Sequence, residues 1–435
     1  MISRKELISQ LTETPRWDVV IIGGGATGLG IALDAATRGF RTLLAEQADF
    51  AKGTSSKATK LVHGGVRYMA QGDIALVREA CRERGILLKN APHLTNNETF
   101  VIPNYHYFDN IKYTIGLKFY DLLAGKLSLG KSRFLSKKHT LEALPLVSEK
   151  KLKGGVLYHD GQFDDARLAL NLAQTAIENG ACVLNYLKIT GISKDAKKKV
   201  NGIIAQDQLT NETYQINAKT VINATGVYVD NILQLDNPGN RHLVQPSQGI
   251  HLTIDASFLP GSNALMIPAT DDGRVLFAVP WYGKLIVGTT DTLRNTPEME
   301  PRPLEEEVNF ILSTLGKYLV RAPQKKDVLA VFAGLRPLAA PKDEGKKTKE
   351  ISRSHRIIVS PSGLITIIGG KWTTFRLMAE DTLNKAIEIG KLPKRKCITT
   401  QVKIHGYKEG SGHKLDFFKS YGTDIDAIEA LCATD

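Results

Sequence analysis

The chain has 435 residues, with 57 Lys and Arg against 45 Asp and Glu for a net charge of +12, and 42 % of it is hydrophobic. That length exceeds one ordinary core and predicts two domains with a small appendage. Four scattered cysteines (Cys81, Cys182, Cys397, Cys432) exclude a disulfide scaffold or a CxxC metal or redox site, no apolar run reaches the roughly 18 residues of a membrane span, and the charged first seventeen residues contain no secretory core; a reducing cytoplasm and no bound metal are expected.

Residues 17 to 22, WDVVII, predict a buried parallel strand, and the glycines after it open a helix, ATGLGIALDAATRG, that Gly39 closes. RTLLAE is the next strand. Gly23, Gly25 and Gly28 hold the GxGxxG spacing, and Glu46 stands 18 residues farther on at the end of that second strand. Such glycines permit a tight turn and close backbone approach, the helix N-terminus faces a pyrophosphate, and the carboxylate accepts from ribose hydroxyls, so a dinucleotide site is predicted. The polar FAKGTSSKATKLVHGGVRYM then replaces the next helix and strand of a nicotinamide domain, which favours FAD over NAD.

Residues 111 to 127, IKYTIGLKFYDLLAGKL, put Ile111, Ile115, Leu122 and Leu123 near one helical face beside Lys112, Lys118 and Lys126. Two readings stay open: a basic amphipathic helix on anionic lipid, or a helix buried in the second domain. AKTVINATGVYVD predicts a strand ending at Ala224, Thr225 and Gly226, small enough to let a dinucleotide pass. Between 240 and 335, GIHLTI, ALMIPA, RVLFAVPWYGKLIVGTTD and DVLAVFAGLRPL predict an antiparallel sheet. GLITIIGGKWTTFRLMAEDTLNKAIEIG repeats strand, glycine turn and helix at Gly369 and Gly370, with Lys371 as a positive charge where a helix N-terminus would face a flavin ring.

The predicted fold is therefore α/β: a discontinuous Rossmann-like FAD-binding domain (15–95, 150–235 and 340–390), an α+β substrate domain with a mainly antiparallel sheet (96–149 and 236–339), and a short, partly helical C-terminal region (396–435). Two stretches, 111 to 138 and 321 to 360, each carry +6, together equal to the whole excess. An anionic partner such as phosphate or lipid fits this charge, whereas no nucleic-acid module accompanies it and no nucleic-acid binding is expected.

In order, VVIIGGGATGLGIALDAATRG, TSSKATKLVHGGVRYM, DDARL, VINATG, VGTTD, AGLRPL, ISRSHRI and GGKWTTFR resemble the FAD-dependent glycerol-3-phosphate dehydrogenases over roughly residues 15 to 390. The resemblance implies non-covalent FAD and oxidation of sn-glycerol 3-phosphate to dihydroxyacetone phosphate by hydride transfer to the flavin, with electrons passed to membrane quinone. A glycerol-3-phosphate oxidase using oxygen, or a related flavin amine or 2-hydroxyacid oxidoreductase, is the alternative. The family's C-terminal helical domain is longer, so this chain is expected to be shortened there. The implied location is cytoplasmic, peripheral on the inner face of the cell membrane, with a homodimer left open.

The resemblance adds Thr54, Ser55, Ser56, His63, Gly64, Ala224, Gly226, Gly369, Gly370, Lys371 and Thr373 to Gly23, Gly25, Gly28 and Glu46 as cofactor contacts, His63 being structural or flavin-contacting. His251 in SQGIHLTI is the expected base for the hydroxyl proton, and Lys371 the cation that favours a reduced ring. The family usually has Gly-Ser-His there; Ile250 is expected to remove a hydroxyl from that neighbourhood. Arg336, held stiff by Pro337, and Arg353 are expected to grip the phosphate with their planar forks, with Arg67 and Tyr68 completing the pocket and Arg336 counted with His251 and Lys371 in the catalytic set.

Overall fold

The computed structural model describes residues 2–66, 73–340, 355–409 and 418–433. Trp17–Ile22 is apolar except at Asp18, so it needs cover on both faces, and it lies inside a parallel sheet between Thr42–Ala45 and Thr213–Asn223. Cys182–Leu184 and Ile365–Ile368 extend the sheet in parallel, Arg356–Val359 closes one edge antiparallel, and the hairpin Leu187–Lys194/Val200–Asp207 hangs on Thr213–Asn223. Val19 and Ile21 pack with the helices Ala26–Thr37, Asp165–Glu178 and Phe375–Ile389, while Val20 and Ile22 pack with Arg4–Glu13 and Val229–Asp236. Burying each such aliphatic side chain contributes about 1.5–3 kcal/mol.

The second sheet is mostly antiparallel, as expected. Its order among the described residues is Thr292–Leu293, Val244–Asp255, Lys284–Gly288, Leu276–Trp281, Ala264–Ile267, Thr95–Asn104, Gly154–Phe163 and Leu61–Val62, with Val328–Ala339 also on Val244–Asp255 and Arg133–Ser136 on Gly154–Phe163. Leu61–Val62 and Gly154–Phe163, from ranges expected to serve the nucleotide-binding domain, thus pair into this sheet. The helix Glu305–Gly316 covers its back: Ile250, Leu252 and Ile254 meet Ile311, Leu312 and Leu315.

Tyr107–Ala124 is a helix, and the buried reading of its apolar row holds for Leu123, which packs with Val77 and Tyr120, but not for the other three. Ile111, Ile115 and Leu122 are 60–73 % exposed, and Tyr107, Phe108 and Phe119 extend the row. The inner face is made by Asn110, Leu117, Tyr120 and Ala124 instead. Beneath it lies a buried polar cluster: Arg84 Nη1 donates to Asp160 Oδ1 (2.7 Å) and to Tyr120 Oη (3.0 Å), and the Tyr120 hydroxyl donates to Asp160 Oδ2 (2.9 Å). Near the C-terminus, Ile425–Cys432 is helical, as the appendage reading expects. Among the described residues no helix is long and apolar enough to cross a membrane, and no group of His, Cys, Asp and Glu could hold a metal.

Candidate functional site

A cleft of about 740 Å³ opens at the ends of the parallel strands. Gly23, Gly25, Glu46, Thr54, Ser55, Ala224, Gly226, Gly369, Gly370 and Lys371 line it, brought there from the beginning, middle and late parts of the chain. Gly23 has φ +111°, and a Cβ there would stand 2.7 Å from the Ala224 carbonyl oxygen. Gly28 faces inward, with its would-be Cβ 1.9 Å from the Gly23 oxygen, so it supports the turn without lining the cleft. The helix Ala26–Thr37 starts at Gly25, which has no side chain to cap it; Ser55 Oγ accepts from Ala26 N at 2.9 Å, and the N-terminal dipole points at the cleft.

Glu46 accepts from Gly24 N (2.6 Å) and Ala48 N (2.8 Å). Burial pushes its pKa above the usual carboxylate value, against the pull of these and of the Gln47 N–H. Thr54 Oγ1 donates to Leu335 O (2.5 Å) and Trp372 Nε1 donates to Ser55 O (2.8 Å), which fastens the 54–56 turn to both the second sheet and the Gly369–Thr373 segment. Ser56, His63, Gly64 and Thr373 do not line the cleft. Thr373 Oγ1 reaches His63 O at 3.4 Å and Gly64 N donates to Asp160 Oδ1 at 3.2 Å, so these residues shape the neighbouring loop. Lining residues not assigned to the cofactor from the sequence include Tyr228, Pro337 and Trp372, which lie within segments quoted above, and Met299, which carries no motif and arrives through tertiary packing.

His251 and Arg336 lie together on one face of the second sheet, through the register Ser247↔Arg336, Gly249↔Gly334 and His251↔Phe332. The His251 ring stacks on Phe332 at 4.8 Å, and its Nε2 shares a hydrogen bond with Thr59 Oγ1 (2.9 Å) while Nδ1 is buried without a hydrogen-bond partner among the described residues. Three glycines flatten this face. A Cβ at Gly249 would meet Arg336 Nη2 at 2.3 Å, one at Gly288 would meet the His251 ring at 2.3 Å, and one at Gly334 would meet Lys57 Cβ at 2.8 Å. Ile250 points to the opposite side, fully buried in the core under the sheet, so it takes nothing from the surroundings of His251 and that expectation is corrected.

Burial, then the charges of Arg336 and Lys60, hold the His251 pKa down at about 3, so the imidazole is neutral near pH 7. Lys60 is itself paired with the buried Asp165 (2.5 Å). Arg336 Nη1 donates to Thr290 O and Nη2 to Thr289 Oγ1, both at 3.0 Å, and Asp291 Oδ1 lies 3.7 Å from Nη1. Arg67, Tyr68 and Arg353 lie outside the described residues.

The residues fit a dinucleotide with a flavin: a turn with no room for a Cβ at Gly23 and Gly28, the Glu46 carboxylate, a helix start that faces the cleft, and Lys371 in the cleft lining. Residues 18–376 match the family of FAD dependent oxidoreductases. The chain is 43 % identical to the mitochondrial glycerol-3-phosphate dehydrogenase of Saccharomyces cerevisiae, over 94 % of this chain and 69 % of that protein, and 42 % identical to that of Bos taurus, over 99 % and 61 %. It therefore spans between about three fifths and seven tenths of the length of these curated relatives. The structure of the Bacillus halodurans glycerol-3-phosphate dehydrogenase complexed with FAD superposes with a TM-score of 0.76 at 34 % identity, covering 98 % of this chain and 75 % of that one.

Proposed function

The chain belongs to the FAD dependent oxidoreductases, within the glycerol-3-phosphate dehydrogenase family, and on that premise we propose that it oxidises sn-glycerol 3-phosphate to dihydroxyacetone phosphate. The observation that carries the substrate is the pairing of a neutral, buried imidazole with a guanidinium on one flat sheet face, His251 beside Arg336. FAD, when bound, supplies the hydride acceptor.

The chain's own residues do the rest. Arg336 receives the phosphate, whose charge of about −1.5 to −2 at neutral pH suits a planar fork. His251 takes the hydroxyl proton of the secondary alcohol. The phosphate anion offsets the positive charge of Arg336, one of the causes that hold His251 down, so substrate binding itself raises the basicity of the imidazole. Phe332 and Thr59 fix the ring plane, and Lys371 supplies positive charge at the cofactor end of the site. Arg353, Arg67 and Tyr68 complete the phosphate pocket in this reading. The expected domain division serves it: the parallel sheet carries the cofactor and the antiparallel sheet the substrate.

Attachment to an anionic lipid surface, with a quinone as electron acceptor, belongs to the same reading and is supported by the exposed row Phe108, Ile111, Ile115 and Leu122 beside Lys112 and Lys118. Anaerobic addition of glycerol 3-phosphate should bleach the yellow of the purified holoprotein within seconds, while glycerol does not. A spectrum left unchanged by glycerol 3-phosphate would sink the substrate assignment.

A further inference from the structure

We propose that Glu307 is a positioning residue that holds Arg336 in its anion-binding plane through the Thr289–Thr292 turn. The inference rests on the phosphate role given to Arg336 above. Glu307 is 3 % exposed and sits in the first turn of the helix Glu305–Gly316, on the back of the sheet whose front carries Arg336. Its Oε1 accepts from Thr290 Oγ1 and Thr292 Oγ1, both at 2.8 Å; its Oε2 accepts from Gln248 Nε2 at 2.7 Å and Leu304 N at 3.0 Å. A carboxylate offers about four acceptor sites, and here all are used.

Thr290 joins the two sides of the sheet. Its hydroxyl accepts from Ile250 N (3.0 Å) and donates to Glu307, while its carbonyl accepts from Arg336 Nη1 (3.0 Å). Thr289 Oγ1 takes Arg336 Nη2 at 3.0 Å. The guanidinium plane is thus fixed by a turn that has no helix or strand of its own at Thr289–Asp291 and is anchored from behind by one buried carboxylate. Were the anchor lost, the turn could settle elsewhere and take the fork out of register with a phosphate, with the reacting carbon and His251 left in place. The effect should therefore fall on binding.

The test uses the flavin-loaded enzyme with Glu307→Gln, Thr290→Val and Thr290→Ser. Thr290→Val keeps the shape and removes the hydroxyl; Thr290→Ser keeps the hydroxyl. Glu307→Gln and Thr290→Val should each raise the KM for glycerol 3-phosphate about tenfold, and weaken competitive inhibition by inorganic phosphate in proportion, with kcat within about twofold, as expected for one misplaced charged hydrogen-bond partner. Thr290→Ser should stay near the wild type, as should Glu306→Gln, an exposed neighbour on the same helix. If Glu307→Gln does not fold, the Thr290→Val and Thr290→Ser pair decides alone. Wild-type KM and phosphate inhibition in Thr290→Val, with both impaired in Arg336→Ala, would overturn the positioning role and leave the phosphate role of Arg336 standing. An equal loss in Thr290→Ser, or a loss that slow turnover of glycerol shares, would also overturn it. Wild-type behaviour in Arg336→Ala would remove the reading on which both depend.

Discussion

At the nucleotide cleft the protein offers main chain: a left-handed glycine, a helix start and strand ends whose residues are small. On the antiparallel sheet it offers side chains, and the glycines there serve to clear space for His251 and Arg336. The first arrangement leaves no room for a Cβ at Gly23 or Gly28 but asks little of side-chain placement. The second depends on orientation, and it is held by hydrogen bonds that run through the sheet to its far side. A cofactor that stays bound suits the rigid frame, whereas a substrate that must enter and leave suits a surface whose charge is fixed by a few polar contacts.

The comparison breaks most sharply at Gly28. Gly28→Ala places a methyl group 1.9 Å from a backbone oxygen and should cost about 3 kcal/mol, the upper end of the usual range for overpacking. The variant should purify without yellow colour, and full FAD occupancy by absorbance would show that the turn is not the pyrophosphate site. Gly25 has more room, since its Cβ would meet only Ser55 Oγ at 3.1 Å, so Gly25→Ala should retain more FAD than Gly28→Ala.

On the side-chain wall, Arg336→Ala should lower kcat/KM for glycerol 3-phosphate about ten- to a hundredfold at normal FAD content, because hydrogen bonds to charged groups contribute roughly 1.5–3 kcal/mol. Glycerol turnover should change little. Equal loss for both substrates would mean that Arg336 serves something other than the phosphate.

Acid should loosen the fold at two buried histidines, His251 on this wall and His93 against His405 and Asn171. His251 is held at about 3 and His93 at about 4, both below the ordinary histidine value of 6.5, chiefly by burial. The unfolded chain therefore binds protons first, and the stability these groups support is complete above about pH 6.5 and lost as pH falls toward 4 and 3. From pH 7 to 5.5 each contributes a loss of about 1 kcal/mol, a slope that His251→Gln should lower in urea titrations at several pH values. The charges and hydrogen-bond partners facing His251 are Arg336, Lys60 and Thr59, and those facing His93 are Asn171, Arg167, Asp424 and His405. An unchanged slope would mean that acid acts at other groups.

The smallest effect lies away from both walls. Lys112→Gln and Lys118→Gln should each weaken sedimentation with anionic vesicles roughly fivefold at low salt and leave neutral vesicles unaffected. Loss of equal size on both vesicle types would point to apolar contact alone.

Much of the frame was legible because its signal is contiguous. Gly23, Gly25, Gly28 and Glu46 lie in one short stretch whose spacing is dictated by a strand, a turn and a helix. The helix Tyr107–Ala124 showed its two faces in the sequence but not which was inner, since periodicity is the same for a stripe turned in or out. Ile250 misled for a related reason: adjacent residues on a strand face opposite ways, so its neighbour His251 says nothing of its surroundings. Glu307 was illegible, because its donors come from Gln248, Thr290, Thr292 and Leu304, which only the folded sheet and helix bring to one carboxylate.

The parallel sheet also sets an order in time. Trp17–Ile22 pairs with Thr213–Asn223, which in turn pairs with Ile365–Ile368. At synthesis rates of about 5–20 residues per second the first strand must wait tens of seconds for the last to leave the ribosome. Over that interval Val19 to Ile22 have no complete sheet to enter, and the long-range pairing carries a large loop-closure cost. The second sheet depends on separations nearly as long, from Leu61–Val62 to Val328–Ala339. Nascent chains of this protein therefore hold apolar strands open until Ile365–Ile368 has been made, an interval in which exposed strand edges favour aggregation over folding.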